Sequence, residues 1–150
     1  MRKIVFAIIV ALLVSIIGVN FTVNGATGIS VTIDGKGVTF PDAKPFIDEN
    51  GRTLIPVRFV TEDLGATVEW NEKLQEVKIR KNEVNISVRI NDRDIVVNNR
   101  KKTMDTKAII KESRTYVPIR YVAESLGATV GWDASTKTVI INTGTNTDKS

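Results

Sequence analysis

Cysteine and histidine are both missing from this 150-residue chain. Without cysteine no disulfide can staple the fold, so hydrophobic packing has to hold it. Without either residue the thiolate and imidazole metal ligands are gone. A zinc or copper site would have to be built from carboxylates alone, which those metals seldom accept as a full set. Triads that need His, and Cys nucleophiles, are excluded too. Aromatic residues make up only 6% of the chain, and the sequence marks no stacking row among Phe40, Phe46 and Phe59. No phosphate-binding glycine loop, nucleophile elbow or calcium-loop spacing is present.

Charge of one sign is also lacking. The chain has 21 basic and 17 acidic residues, with a net charge of +4. Two of the basic residues, Arg2 and Lys3, belong to the N-terminal segment, which leaves 19 against 17 for the rest. The two signs are interspersed rather than blocked together, so nucleic acid is not an expected partner.

The one long apolar run sits at the start. Arg2 and Lys3 precede Ile4–Val19, which is interrupted only by Ser15 and Gly18, and a small, polar stretch follows to Gly28. That order predicts a secretory signal peptide over residues 1–26. Val23 and Gly25 suit cleavage before Ala26, and cleavage after Ala26 is the neighbouring option. No cysteine follows the run, so lipoprotein processing is not expected. A spanning helix needs roughly 20 apolar residues, and Ile4–Val19 supplies 16. Cleavage is therefore favoured over an uncleaved anchor, the one expected link to a membrane. The remaining body, about 124 residues, is expected to be secreted or associated with the cell envelope. It is long enough for one compact domain or two very small units sharing a core.

That body repeats itself. Residues 52–80 read RTLIPVRFVTEDLGATVEWNEKLQEVKIR and residues 114–142 read RTYVPIRYVAESLGATVGWDASTKTVIIN, identical at 14 of 29 positions with a constant offset of 62. Upstream, Ile33–Val38 matches Ile90–Ile95 at an offset of 57, so the second copy carries five extra residues after this hairpin. Repeat one covers about 29–81 and repeat two about 84–142, within a single domain over 29–142. The polar residues 143–150 are expected to be a disordered tail.

Within each copy the local pattern is readable. Ile29–Ile33 alternates as a half-buried strand, Asp34–Gly37 turns and Val38–Phe40 returns; Val84–Ile90 and Ile95–Val97 repeat this. A short strand ends near Pro56 or Pro118, and proline, having no N–H to donate, implies an edge or a strand end. Phe59, Val60 and Leu64, matched by Tyr121, Val122 and Leu126, are spaced for one face of a short helix. Gly65 and Gly127 are placed to end those helices in the left-handed conformation. Two strands joined by a turn follow, through Trp70 and Trp132. The expected unit is β-β-β-α-β-β, and the fold class α+β: antiparallel sheets each packed on a short helix around a shared core.

Three motifs invite functional readings. Arg58 and Glu62, like Arg120 and Glu124, stand four apart on a helix. They read as intrahelical ion pairs worth about 0.2–0.5 kcal/mol each when exposed, with the arginines also placed to tie down strand carbonyls; a ligand-binding pair is the sharper alternative. Trp70 and Trp132 are the candidate ligand-binding residues, since an exposed indole is a platform for sugar rings. The competing reading is a ring covering the edge of a small core, where it would bury roughly 150–250 Å². Acidic groups occur at Asp48-Glu49, Glu62-Asp63 and Glu69, but a glycosidase needs two facing carboxylates at a set separation. The second copy replaces Asp63 with Ser125 and Glu69 with Gly131, so nothing marks such a pair. No catalytic or metal-binding residue is assigned.

The strings from Gly51 to Ile79 and from Ser113 to Ile141 closely resemble the copper amine oxidase N-terminal domain-like family, or stalk domains. Its hallmark is an R-T-x-V-P-x-R-F/Y-V-A-E-x-L-G-A-x-V-x-W core. The likeness extends over about residues 29–142. Thr61 departs from the usual Ala, and the first copy has a shorter connection before Pro45. Pro56, Arg58, Glu62, Gly65, Pro118, Arg120, Glu124 and Gly127 carry the structural motif. The resemblance implies a small sheet around a short helix that holds neither copper nor cofactor, in secreted or envelope-associated bacterial proteins. Copper amine oxidase catalysis itself requires three His ligands, which this chain lacks. The expected function is a non-catalytic structural or interaction module of the cell envelope, with an envelope protein or wall polymer as partner and no cofactor. A soluble carbohydrate-binding protein using Trp70 and Trp132 is the alternative, and a carboxylate-based hydrolase the least supported reading.

Overall fold

The computed structural model describes residues 28–144. The expected signal segment 1–26 and residues 145–150 of the expected tail lie outside the described residues. The first half opens with the hairpin β1 (Ser30–Ile33) and β2 (Lys36–Gly37), turning on Asp34 (φ 48°) and Gly35 (φ 81°). Two consecutive left-handed residues make the tight turn whose twist matches the flanking strands. The return therefore starts at Lys36, two residues before the expected Val38. There follow β3 (Phe46–Ile47), β4 (Thr53–Pro56), α1 (Val57–Glu62), β5 (Thr67–Asn71) and β6 (Glu76–Lys81). The second half runs β7 (Val84–Arg89), β8 (Asp94–Val97), β9 (Arg100–Thr103), β10 (Ile109–Lys111), β11 (Arg114–Pro118), α2 (Ile119–Ser125), β12 (Thr129–Asp133) and β13 (Thr138–Asn142).

The expected unit is thus extended by the short strands β3 and β10, and by β9 in the second half alone. β9 lies in the connection that the five extra residues lengthen, after a second left-handed pair at Asn98 (φ 48°) and Asn99 (φ 65°). All four of its residues are exposed, so it carries no hydrophobic alternation by which a sequence pattern could reveal it.

Among the described residues three sheets form, and each takes strands from both halves. The central sheet has the order β10-β11-β4-β3, one lateral sheet β5-β6-β7-β8-β9, and the other β12-β13-β1-β2. The closing strand of the first half pairs antiparallel with the opening strand of the second, from Glu76↔Arg89 to Lys81↔Val84. The closing strand of the second half returns to the opening strand of the first, but parallel, from Ser30↔Thr138 to Ile33↔Ile141. This β1–β13 pairing is the one parallel ladder among the described strands, where wholly antiparallel sheets were expected. A two-residue turn joins β6 to β7 and enforces a hairpin, whereas no short turn joins β13 to β1.

In the central sheet, β4 and β11 run antiparallel with Leu54↔Pro118, Ile55↔Val117 and Pro56↔Tyr116 in register. Positions 62 apart thereby exchange places, and Ile55 meets its own counterpart. Pro56 and Pro118 end these interior strands rather than lying on an edge. Each stands directly before a helix, where its fixed φ (−56° and −67°) suits the change of direction and its missing N–H costs the ladder nothing.

Gly65 (φ +68°) and Gly127 (φ +90°) take the left-handed conformation expected of them. At the end of α2, Gly127 N–H donates to the Glu124 carbonyl and Ala128 N–H to the Ala123 carbonyl, both at 3.0 Å, the two bonds of a Schellman ending. Phe59, Val60 and Leu64 of the first half and Val122 and Ala123 of the second are buried in one cluster, together with Ile55, Val77, Ile86, Val117 and Ile141. The core is shared, as expected. Ile55 has no exposed surface. Ile55→Ala should therefore cost about 2–5 kcal/mol and lower Tm by more than roughly 8 °C in thermal unfolding followed by circular dichroism; a fall within about 2 °C would contradict this packing.

Candidate functional site

Two grooves open where the halves meet, and they are built from corresponding positions. One, of about 270 Å³, is lined by Gly51, Arg52 and Thr53 from the first half and by Pro118, Ile119, Arg120 and Tyr121 from the second. The other, of about 310 Å³, is lined by Ser113, Arg114 and Thr115 from the second half and by Pro56, Val57, Arg58 and Phe59 from the first. The pairing of β4 with β11 produces this exchange, because it lays the start of each strand beside the end of the other.

The remaining walls differ. The smaller groove is completed by Ile47 and by Val130, Gly131, Trp132 and Val139 of the second half, and no acidic residue among the described ones lines it. The larger groove is completed by residues 39–43, including Phe40 and Asp42, and by Glu62 and Asp63. Burial, with the Glu62 charge beside it, pushes the Asp63 carboxyl above the ordinary carboxylate range.

Trp70 and Trp132 lie on β5 and β12, edge strands of the two lateral sheets. Directly opposite them stand Val77 and Val139, both buried. Residues facing each other across a ladder share a face, so both indoles arise on the core side, at its margin. They nevertheless keep 43% and 41% of their surface exposed. The rings border the core and still present a face to solvent. Trp132 lines the smaller groove, whereas Trp70 lines neither groove.

The helical pairs form as expected: Arg58 Nε lies 3.6 Å from Glu62, and Arg120 Nη1 donates to Glu124 at 3.2 Å. Their second contacts diverge. Arg120 Nη1 also donates to the Val130 carbonyl at 2.9 Å, tying down β12, whereas Arg58 stands 4.0 Å from Asp42. Asp42 is the same distance from Arg114. The corresponding Arg52 donates from Nε to Asp105 at 2.8 Å and also pairs with it through Nη2. Tyr121 Oη donates to the other Asp105 oxygen at 2.8 Å and accepts from the Asp105 N–H at 3.2 Å. A third tie between halves is the Thr106 hydroxyl donating to Asp48, which also accepts the N–H groups of Asn50 and Arg52 at 2.9 Å each.

Reading the sequence singled out the helical Arg and Glu residues and both tryptophans, and the structure brings Arg120 and Trp132 to one groove. It missed Arg52, Arg114, Tyr121, Asp42 and Asp105. Arg52 and Arg114 were visible as the identical first residues of the repeated string, but no local pattern connects either to an acid in the other half. Of the acidic groups noted above, Asp48 and Glu62 are taken up in the contacts described, and Glu69 lies 3.8 Å from Arg80.

A family model described as Copper amine oxidase N-terminal domain matches residues 32–141. A protein described as Protease inhibitor, from Brevibacillus choshinensis, is 25% identical over 123 residues, covering 81% of this chain and 37% of that protein. The chain thus spans well under half the length of that relative. Copper does not fit the residues present: the sequence has neither His nor Cys, and no group of three or more Asp or Glu among the described residues is placed to hold a metal ion.

The ties between halves should be sensitive to acid. Hydrogen bonds from Arg52 and then Tyr121 hold the Asp105 carboxyl below its ordinary value of 3.8. Burial opposes ionisation of Asp48, but the hydrogen bonds from Thr106, Arg52 and Asn50 outweigh it, and this carboxyl too lies below 3.8. A carboxylate with a depressed folded-state pKa stabilises fully above its unfolded value and loses that contribution as pH falls through the folded one. Asp105→Asn should therefore lose less Tm than the parent chain between about pH 4 and pH 2. Parallel Tm profiles for the two would contradict this linkage.

Proposed function

The chain belongs to the copper amine oxidase N-terminal domain family, and from that membership we propose that it is a non-catalytic structural or interaction module, exported and held at the cell envelope. The observation that carries the reading is the pair of solvent-open grooves between the halves, lined by arginine and aromatic side chains. Such surfaces suit recognition: aromatic rings supply apolar contact and guanidinium groups supply directed donors. Its domain is read as two copies of one unit, on the strength of the internal sequence identity and the matching elements 62 residues apart. Export rests on the pattern of residues 1–26.

A soluble carbohydrate- or wall-polymer-binding role is the second reading, favoured by the exposure of Trp70 and Trp132. The description of the relative as a protease inhibitor favours including proteases among the proteins screened. Residues 27–150, purified and incubated with cell-wall preparations and with the exported proteins of the producing cell, should co-sediment with the wall or retain a defined protein. Absence of both would sink the module reading.

A further inference from the structure

The two grooves have parted chemically, and the difference selects a ligand for one of them. In the larger, Asp42, Glu62 and Asp63 stand among the arginines, so an anion entering it meets carboxylates. In the smaller, Arg52 and Arg120 line the walls and, among the described residues, no acid does. Their partners Asp105 and Glu124 lie outside that lining and hold the guanidinium groups without using all of their donors. Arg52 engages Asp105 through Nε and Nη2, which leaves Nη1. Arg120 engages Glu124 and the Val130 carbonyl through Nη1, which leaves Nε and Nη2. A guanidinium with unspent N–H groups is suited to carboxylate, because its planar fork matches the two oxygens.

Trp132 supplies the other half of the recognition. Its indole borders the same groove with 41% of its surface exposed. A flat, amphipathic ring stacks on the apolar C–H face of a pyranose. A phosphodiester chain without a ring satisfies the arginines and leaves the indole unused; a neutral sugar does the reverse. We propose that this groove binds an acidic sugar ring, of the uronic-acid class, with the ring against Trp132 and its carboxylate on Arg52 and Arg120. A groove of about 270 Å³ lies just below the usual range for small-molecule pockets, which suits one sugar unit of a longer polymer. The inference rests on the reading of the chain as a binding module and names what that module takes.

The test uses the whole chain carrying Trp70→Phe, which leaves Trp132 as the sole indole reporter, and follows its fluorescence during titration. Three probes separate the alternatives: tetragalacturonate, its methyl ester and poly(glycerol phosphate). Tetragalacturonate should give a saturable change, with at least tenfold weaker binding of the uncharged ester and no saturable change from the ringless polyanion. Ile47 lines this groove and is 46% exposed, so a polar residue there should leave the fold intact, as circular dichroism would verify. Ile47→Glu should bind tetragalacturonate at least tenfold more weakly than Ile47→Gln, the difference between the two being charge alone. Equal binding of the ester, equal binding of poly(glycerol phosphate), no binding of tetragalacturonate, or equal binding by the Ile47→Glu and Ile47→Gln variants would each overturn the proposal. Wall or protein capture that persists in a chain unable to bind tetragalacturonate would remove the groove assignment and leave the module reading in place.

Discussion

The antiparallel pairing of β4 with β11 is the contact on which the other features depend. Ile55 faces Val117 at its centre, both without exposed surface, and full burial of such side chains is worth about 1.5–3 kcal/mol each. Because the register exchanges positions 62 apart, each helix leaves its strand beside the strand of the other half. α1 consequently packs near β11 and α2 near β4. The lateral sheets complete the arrangement, each joining the last two strands of one half to the first hairpin of the other. Neither half retains a whole lateral sheet by itself, so a single copy would expose the ladder edges and apolar faces that its partner covers.

That arrangement also explains why the grooves arise in corresponding places and still differ. The walls given by the central strands and the helix starts follow from the shared sequence string. The outer walls come from segments that have diverged. The ring beside Phe59 is that of Phe40, at 5.6 Å, whereas over the ring of its counterpart Tyr121 sits the Lys102 amine, at 5.5 Å. An aromatic pair on one side is a cation over a ring on the other. Asp42 and Asp105 play like parts toward Arg114 and Arg52, but at 4.0 Å in one case and within hydrogen-bonding distance in the other. Equivalent positions thus give two surfaces of different chemistry.

Much of this was legible in the sequence because it is local. Alternation marked the strands around Trp70 and Trp132, the spacing of Phe59, Val60 and Leu64 marked a short helix, and Gly65 and Gly127 marked where the helices end. Features set by distant partners were not legible. Nothing in Ile29–Ile33 shows that it will pair parallel with a strand more than a hundred residues away, since parallel and antiparallel ladders both accept its alternating pattern. Nor does any local signal show that Arg52 reaches Asp105, or that Trp132 borders a groove while Trp70 does not. Residues 41–43 and Ile47, which complete outer walls of the two grooves, lie outside the alternating and helical patterns read from the repeat.

The two tryptophans lie in different lateral sheets and so give independent views of the central claim, that the halves fold as one interlocked body. Urea unfolding of Trp70→Phe reports on the β12–β13 sheet, and that of Trp132→Phe on the β5–β6 sheet. After correction for each variant's own stability by circular dichroism, the account predicts coincident fluorescence and circular dichroism midpoints in both variants. Two separated transitions, one for each half, would contradict it.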